Sequence, residues 1–283
     1  MIIRHFEEEN FSKLHQSFIE AFSSYKVPFS PSFDAFRSRM KFKLSLIPEL
    51  SALVLQDEKC VGFLLQTKGE YEGKTTVYNG GTGVVPAVRG QNLTLQLFDF
   101  LSPALSACNA SRLLLEVITS NDPAIKVYDR LGFQYRQTFR CYKRKSIVAA
   151  LTSNREITFR KVHQPNFSVY DEFADFRPSF IDDKGHLKHN IENEMILEAL
   201  FEDTVAGYTI FQPLLGRISQ LGTHPHYRGK GIGRALINQV QFFSPGKDIS
   251  LINVPDTYQP MHDFLISLGF QNEVDQYEME LLF

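Results

Sequence analysis

Between residues 221 and 236 the chain reads Leu221-Gly222-Thr223-His224-Pro225-His226-Tyr227-Arg228-Gly229-Lys230-Gly231-Ile232-Gly233-Arg234-Ala235-Leu236. A strand-like run ends at Thr223, and a glycine-rich turn opens directly into a helix-like run. The first N–H groups of a helix have no partner within it, and the positive end of its dipole lies at the same place, so the start of a helix attracts anions. Glycines let the backbone close on an anion and take positive φ, so Gly229, Gly231 and Gly233 suit a cradle for the oxygens of a diphosphate. Arg228, Lys230 and Arg234 add positive charge around it. Spacing excludes two commoner nucleotide loops. The GxGxxG/A dinucleotide turn fits neither glycine register here, and GxxxxGK[ST] is absent.

An earlier stretch, Val84-Val85-Pro86-Ala87-Val88-Arg89-Gly90-Gln91-Asn92-Leu93-Thr94, holds the same kind of place between a strand and a helix. Asn92 tolerates positive φ better than most residues, and Thr94 can donate or cap at a helix start. Downstream, Asn121 and Tyr128 stand seven residues apart, two helical turns, and so share one helix face.

The elements that must hold these residues come in two copies. Arg4 and Asn10-Phe11-Ser12 return as Arg160 and Asn166-Phe167-Ser168, an offset of 156. Pro86 with Arg89-Gly90 returns as Pro225 with Arg228-Gly229, an offset of 139, and Leu131-Gly132-Phe133 returns as Leu268-Gly269-Phe270, an offset of 137. The order holds while the offset shrinks, so the first copy carries extra residues early on, around Pro28, Pro31 and Pro48. The expected domains are 1–147 and 148–283, joined by a linker at Ser146–Asn154, and each is long enough for its own core. Periodicity predicts opening strands at 2–4 and 157–159, a helix over 8–24 from Phe11, Leu14, Phe18 and Phe22, and hairpins at 51–67 and 195–211. Strands at 75–85 and 216–223, helices at 91–108 and 231–243, strands at 112–118 and 249–254, and helices at 122–131 and 258–268 follow, with terminal strands after them. Antiparallel strands first and helices flanking the later ones make an α/β unit with a mixed sheet.

Arg228-Gly229-Lys230-Gly231-Ile232-Gly233 resembles the Q/R-x-x-G-x-G/A motif of the GNAT acyl-CoA N-acyltransferase superfamily, and the resemblance spans both halves. It implies two tandem GNAT-like domains, each a mixed sheet whose fourth and fifth strands splay apart. The diphosphate of acetyl-CoA, a co-substrate, would lie on Val84, Val85 and Arg89-Gly90-Gln91-Asn92-Leu93-Thr94, or on Thr223 and the Arg228–Arg234 loop. The pantetheine arm would lie in the splay. Asn92 and Thr94 depart from the motif, which predicts an altered loop geometry in the first half. There the segment from Leu113 to Phe133 resembles the family's strand–Asn–helix–Tyr–Gly–Phe pattern, which implies that Asn121 contacts the pantetheine and that the Tyr128 hydroxyl lies near the thioester sulfur. In the second half Tyr258 replaces that Asn and Leu265 replaces that Tyr, so this half keeps the loop and loses the acid.

The implied reaction moves an acetyl group to the amine of a small molecule or peptide. A backbone N–H near Val84–Val85 would hold the oxyanion, Tyr128 would protonate the leaving thiolate, and Glu116, with Tyr78 or Asn79 ordering a water, is the candidate base. Two other readings stay open: catalysis in the second half without a tyrosine acid, and a coenzyme-A-binding or interaction module without catalysis. His224-x-His226 and His186-x-x-His189 lack a third ligand at metal-site spacing, so no metal is expected. Acceptor specificity is expected in the 25–48 insert and the 178–190 segment, with Asp182, Asp183, Glu192 and Glu194 as a rim that favours cations.

The chain has 283 residues, and 30 basic against 32 acidic side chains give a formal charge of −2. It therefore has no global field for nucleic acid or anionic membrane, and no apolar run reaches the roughly 18 residues that a bilayer span needs. Cys60, Cys108 and Cys141 are odd in number and form no CxxC pair, which fits a reducing, cytoplasmic setting. The halves are expected to pack as an internal pseudo-dimer, with a homodimer of the chain left open.

Overall fold

The computed structural model describes residues 1–23, 30–146 and 156–283. They form two compact units, Met1–Arg136 with Glu278–Phe283, and Gln137–Tyr277. The sequence halves and the units therefore differ. Residues 137–144, the end of the first copy, count with the second unit, and residues 278–283 count with the first. A strand belongs to the ladder that satisfies its N–H and C=O groups, and that partner need not be its neighbour in the chain. The expected boundary at 147/148, the linker beyond Ser146 and part of the early insert lie outside the described residues.

In the first unit, β1 (Ile2–His5), β2 (Ala52–Gln56), β3 (Lys59–Tyr71), β4 (Lys74–Val84) and β5 (Arg112–Ile118) lie side by side in that order. All neighbours are antiparallel except β4 and β5, which are parallel. Residues 278–283 lie next to β5, where the Phe283 N–H donates to the Ser111 carbonyl at 3.2 Å and Arg112 Nη1 donates to Glu280 Oε1 at 3.0 Å. Helix α1 (Phe11–Phe22) buries Phe11, Leu14, Phe18 and Ala21, one face at helical spacing. A helix of this length is marginal alone, so packing of that stripe holds it. The short α2 (Phe33–Ser38), α3 (Leu93–Ala107) and α4 (Asp122–Arg130) complete the unit.

The second unit repeats this plan with β7 (Thr158–Val162), β8 (Met195–Phe201), β9 (Thr204–Gln212), β10 (Arg217–Thr223) and β11 (Ile249–Pro255). Beside β11 runs β6 (Gln134–Arg144), antiparallel from Ile249 opposite Arg144 to Pro255 opposite Phe139. The residues of β12 (Gln271–Leu282) up to Tyr277 follow. The helices are α5 (Phe167–Tyr170), α6 (Lys184–Leu187), α7 (Ile232–Phe243) and α8 (Gln259–Ser267). No described helix is long and apolar enough to cross a membrane.

Both units open a gap beside the middle of the sheet. β4 and β5 pair only from Thr76 to Asn79 against Arg112 to Leu115, and β10 and β11 only at Arg217 and Ile218 against Ser250 and Leu251. A bulge bends each inner strand near the place where pairing stops. Leu65 faces Gly81 and Gln66 faces Asn79, so Gly80 is the extra residue; Phe211 faces Ile218 and Ile210 faces Gln220, so Ser219 is its counterpart. Gly80 also lets Leu44 come close, since a Cβ there would lie 2.1 Å from Leu44 Cδ1.

Candidate active site

The first unit's loop starts where β4 stops. The Val85 N–H donates to the Val61 carbonyl at 3.0 Å, so Val85 cannot supply the expected oxyanion donor. In an antiparallel ladder hydrogen-bonded pairs alternate with pairs that face away. Val84, opposite Gly62, therefore turns its N–H and C=O out of the β3 ladder and into the gap that β5 leaves. Its carbonyl accepts from Arg89 Nε at 3.1 Å, and Arg89 Nη2 donates to the Ala21 carbonyl at 2.8 Å. Arg89 thus braces the loop between the strand and α1. Gly90 (φ 79°) and Asn92 (φ 56°) turn the chain into α3, whose first hydrogen bond runs from the Gln96 N–H to the Asn92 carbonyl at 3.1 Å. The N–H groups of Leu93, Thr94 and Leu95 precede that bond. All three residues line a cleft of about 370 Å³ with Val84, Arg89 and Gly90. Val85 and Gln91 lie outside the lining, and the Gln91 carbonyl accepts from Gln96 Nε2 at 3.0 Å.

Across the cleft stands α4. Asn121 caps it, with Oδ1 accepting from the Ala124 N–H at 3.4 Å. Tyr128, buried at 7 % exposure, packs its ring against Phe133 at 5.5 Å, and both Asn121 and Tyr128 line the cleft. The expected helical face therefore meets the expected loop. Glu116 is half-buried on β5 and accepts a short hydrogen bond from the Tyr78 hydroxyl, but it does not line this cleft. Asn79 braces the bulge instead of facing a substrate, with Nδ2 on Thr82 Oγ1 at 2.8 Å and Oδ1 accepting from the Gly81 N–H at 3.1 Å.

The second unit repeats the backbone and changes its side chains. The His224 N–H donates to the Ala206 carbonyl at 2.9 Å, which turns Thr223 into the gap as Val84 is turned, and Arg228 Nε donates to the Thr223 carbonyl at 3.3 Å. Gly229 (φ 79°) and Gly231 (φ 87°) match Gly90 and Asn92 in backbone, so the departure at Asn92 leaves the turn intact. Thr223, Ile232, Gly233 and Arg234 are among the residues lining a cleft of about 330 Å³. Gly233 is needed here because a Cβ would lie 2.9 Å from the Phe264 ring; in the first unit Thr94 lines the cleft with the smaller Val127. Lys230 corrects the expectation of charge beside the phosphate. Its ammonium lies over the Phe201 ring at 4.6 Å and the Tyr227 ring at 5.3 Å, outside the cleft lining.

Two residues of this cleft were not singled out from the sequence as functional. Arg228 Nη2 pairs with Asp175 at 2.5 Å, whereas Arg89 Nη2 donates to the Ala21 carbonyl. Tyr258, in the place of Asn121, hydrogen-bonds Asp175 and Arg228, and burial, then Asp175, push its hydroxyl up to about 12. The replacement of Asn by Tyr was the available signal for Tyr258, since it brings in a hydroxyl; a lone Asp175 carried none.

The expected acidic rim is interior structure. Asp182 is buried against Arg217, with Oδ2 2.6 Å from Nη2, and Glu194 accepts from Ser219, Asn190 and Gln212. Asp183 caps α6 and pairs with Arg177 at 2.8 Å. Glu192 is exposed, apart from this network. Among the described residues no group of three His, Cys, Asp or Glu side chains could hold a metal ion.

Two splayed sheets, each followed by a bare helix start, define an acyltransferase fold, and the chain belongs to the acetyltransferase (GNAT) family. The family's sequence profile matches it twice, over residues 12–133 and 159–270. It is 27 % identical over 97 residues to N-alpha-acetyltransferase 30 of Schizosaccharomyces pombe, a match covering 34 % of this chain and 65 % of that relative. Among solved structures it is similar to a GCN5-related N-acetyltransferase from Sphaerobacter thermophilus, with TM-score 0.74, 15 % identity, and coverage of 99 % of this chain and 95 % of that one. It is also similar to a tandem GNAT protein from the clavulanic acid biosynthesis pathway, with TM-score 0.72, 13 % identity, and coverage of 99 % and 98 %.

Proposed function

We propose that this chain is an acetyl-CoA-dependent N-acetyltransferase whose first unit transfers acetyl to a primary amine of a small molecule or peptide. The observation that carries the reading is that one cleft joins the first amides of α3, the outward N–H of Val84 and the Tyr128 ring. The donor set fits the diphosphate of coenzyme A, because the N–H groups of Leu93, Thr94 and Leu95 bind phosphate oxygens at the positive end of a helix dipole. The relative named N-alpha-acetyltransferase 30 supports a peptide α-amine among the acceptors. Three free cysteines, two of them buried, support a reducing, cytoplasmic setting.

An alkyl ammonium of pKa about 10.4 must lose a proton before its nitrogen can attack. The hydrogen-bonded Tyr78–Glu116 pair is the candidate to take it, through water, since Glu116 stands off the cleft. The C–N bond forms as the thioester carbonyl becomes an oxyanion on the Val84 N–H, a donor worth about 3–4 kcal/mol in the transition state. The C–S bond then breaks, the thiolate, of pKa about 8.5, takes its proton from Tyr128, and the second proton lost by the acylated nitrogen returns to Tyr128 through water. Tyr128→Phe keeps the ring and removes the proton, so across a panel of amines acetyl-CoA turnover with at least one should fall about 10²-fold or more at unchanged coenzyme binding. Unchanged turnover rejects the assignment.

A further inference from the structure

The geometry points to a second acetyl-transfer site in the unit Gln137–Tyr277, where Asp175 and Tyr258 form a proton relay serving a small primary amine carried on an apolar body. This rests on the reading that the helix-start loops seat an acyl-CoA diphosphate. Leu265 stands where the first unit has Tyr128 and has no proton to give, yet the cleft still holds a hydroxyl. Tyr258 brings it in from the residue that precedes α8. A chain of contacts ties that hydroxyl to the place where the thioester carbonyl would lie. Tyr258 meets Asp175 and Arg228, Arg228 pairs with Asp175, and Arg228 Nε holds the carbonyl of Thr223, whose N–H faces the gap.

Asp175 is also at a junction. It lines the coenzyme cleft and, in addition, a separate cavity of about 350 Å³. The second cavity has aromatic walls from Phe167, Phe176 and Tyr208 and further carboxylates from Asp171 and Asp183. Lys184 pairs with Asp171, Arg177 with Asp183 and Arg228 with Asp175, and of the three carboxylates Asp175 alone also lines the coenzyme cleft and meets the Tyr258 hydroxyl. Aromatic faces and the Asp175 carboxylate shared by the two cavities suit an ammonium group on an aryl or alkyl body. Among the described residues of the first unit, Arg89 meets the Ala21 carbonyl where Arg228 meets Asp175, and Asn121 stands in the place of Tyr258.

The protons balance. The incoming ammonium gives one proton to water through Asp175, and the free amine attacks the acetyl carbon. As the C–N bond forms, the nitrogen gives a second proton to Asp175. The C–S bond breaks, the sulfur takes the proton of Tyr258, and Asp175 returns its own to Tyr258. The products are the amide, the coenzyme thiol and one proton released to water, and both side chains end as they began. Burial and the neighbouring carboxylate keep Tyr258 protonated at neutral pH, ready to donate.

The test uses the full chain. Coenzyme A stoichiometry is read by calorimetry, and amine-dependent thiol release from acetyl-CoA is read with arylalkyl and alkyl primary amines. The variants are Tyr128→Phe, Tyr258→Phe, the double variant and Asp175→Asn. Two bound equivalents are expected, with turnover on one class of amine surviving Tyr128→Phe and falling about 10²-fold on adding Tyr258→Phe. Asp175→Asn should also change the pH profile of that surviving turnover, which a merely structural carboxylate would not do. A single bound equivalent, no amine turnover in Tyr128→Phe, or surviving turnover indifferent to Tyr258→Phe overturns the second site and leaves the first-unit reading standing. Turnover equal in wild type and Tyr128→Phe for every amine overturns the first-unit reading instead.

Discussion

The two clefts share a backbone and divide on three side-chain choices. The loop arginine is held by a neutral carbonyl in one unit and by a full carboxylate in the other. The helix start is Asn92 and Thr94 with Val127 lining the cleft in one, and Gly231 and Gly233 under Phe264 in the other. The facing helix offers Asn121 and Tyr128 in one, Tyr258 and Leu265 in the other. The comparison teaches that the turn into each helix start is built from main chain and survives exchange of its side chains. The hydroxyls proposed as proton donors are side chains, and there the units part.

Removing an amide is the harshest way to break that comparison. Val84→Pro deletes an N–H that the β3 ladder does not use, so kcat should fall about 10²–10³-fold with little loss of stability. Val85→Pro deletes the bond to Val61 and should instead lower the melting temperature; a catalytic loss without destabilisation in Val85→Pro would reverse the assignment. Gly233→Thr, which copies Thr94, should cost about 1–3 kcal/mol in denaturant unfolding by crowding Phe264, and adding Phe264→Val should recover most of it. Asp175→Asn should tighten coenzyme A binding at the second loop about fivefold at low salt, since a carboxylate beside a diphosphate repels it, and added salt should shrink the gain. In the same variant the tyrosinate absorbance of Tyr258 should titrate at a lower pH than in the wild type, because Asp175 helps to push the hydroxyl up to about 12. The neutral hydroxyl's contribution to stability is full below the ordinary tyrosine pKa of about 10 and is lost as pH rises through 12, so the variant should lose it earlier. The smallest effect is expected from Asn92→Gly, a change of a few tenths of a kcal/mol, because Asn already tolerates φ 56°.

Local pattern carried most of the fold. The apolar run Arg112–Ile118 is a strand over the expected residues, and α3, α4, α7 and α8 each begin and end within two residues of the spans set by their periodicity. The helix expected over 8–24 begins with a 3-10 turn at Glu8–Asn10, where three polar residues supply no apolar face. What the sequence withheld was pairing at a distance. Nothing local in residues 137–144 says that their ladder partner is Ile249–Pro255. The site divides in the same way. Val84 and Val85 are alike as side chains, and only the phase of the β3–β4 ladder tells which N–H is turned outward. Lys230 reads as phosphate charge until Phe201 and Tyr227 are seen beneath it, and Asp175 acquires meaning only once the fold brings it to Arg228 and Tyr258.

Because residues 278–283 belong to the first unit and 137–144 to the second, the order of synthesis does not match the order of assembly. A nascent first unit leaves the ribosome without its last strand and must wait, with the edge of β5 uncovered, until the final β residues emerge. Cutting the gene near residue 147 would leave each fragment with a strand that belongs to the other and lacking one of its own, and such fragments should associate or aggregate sooner than they act alone.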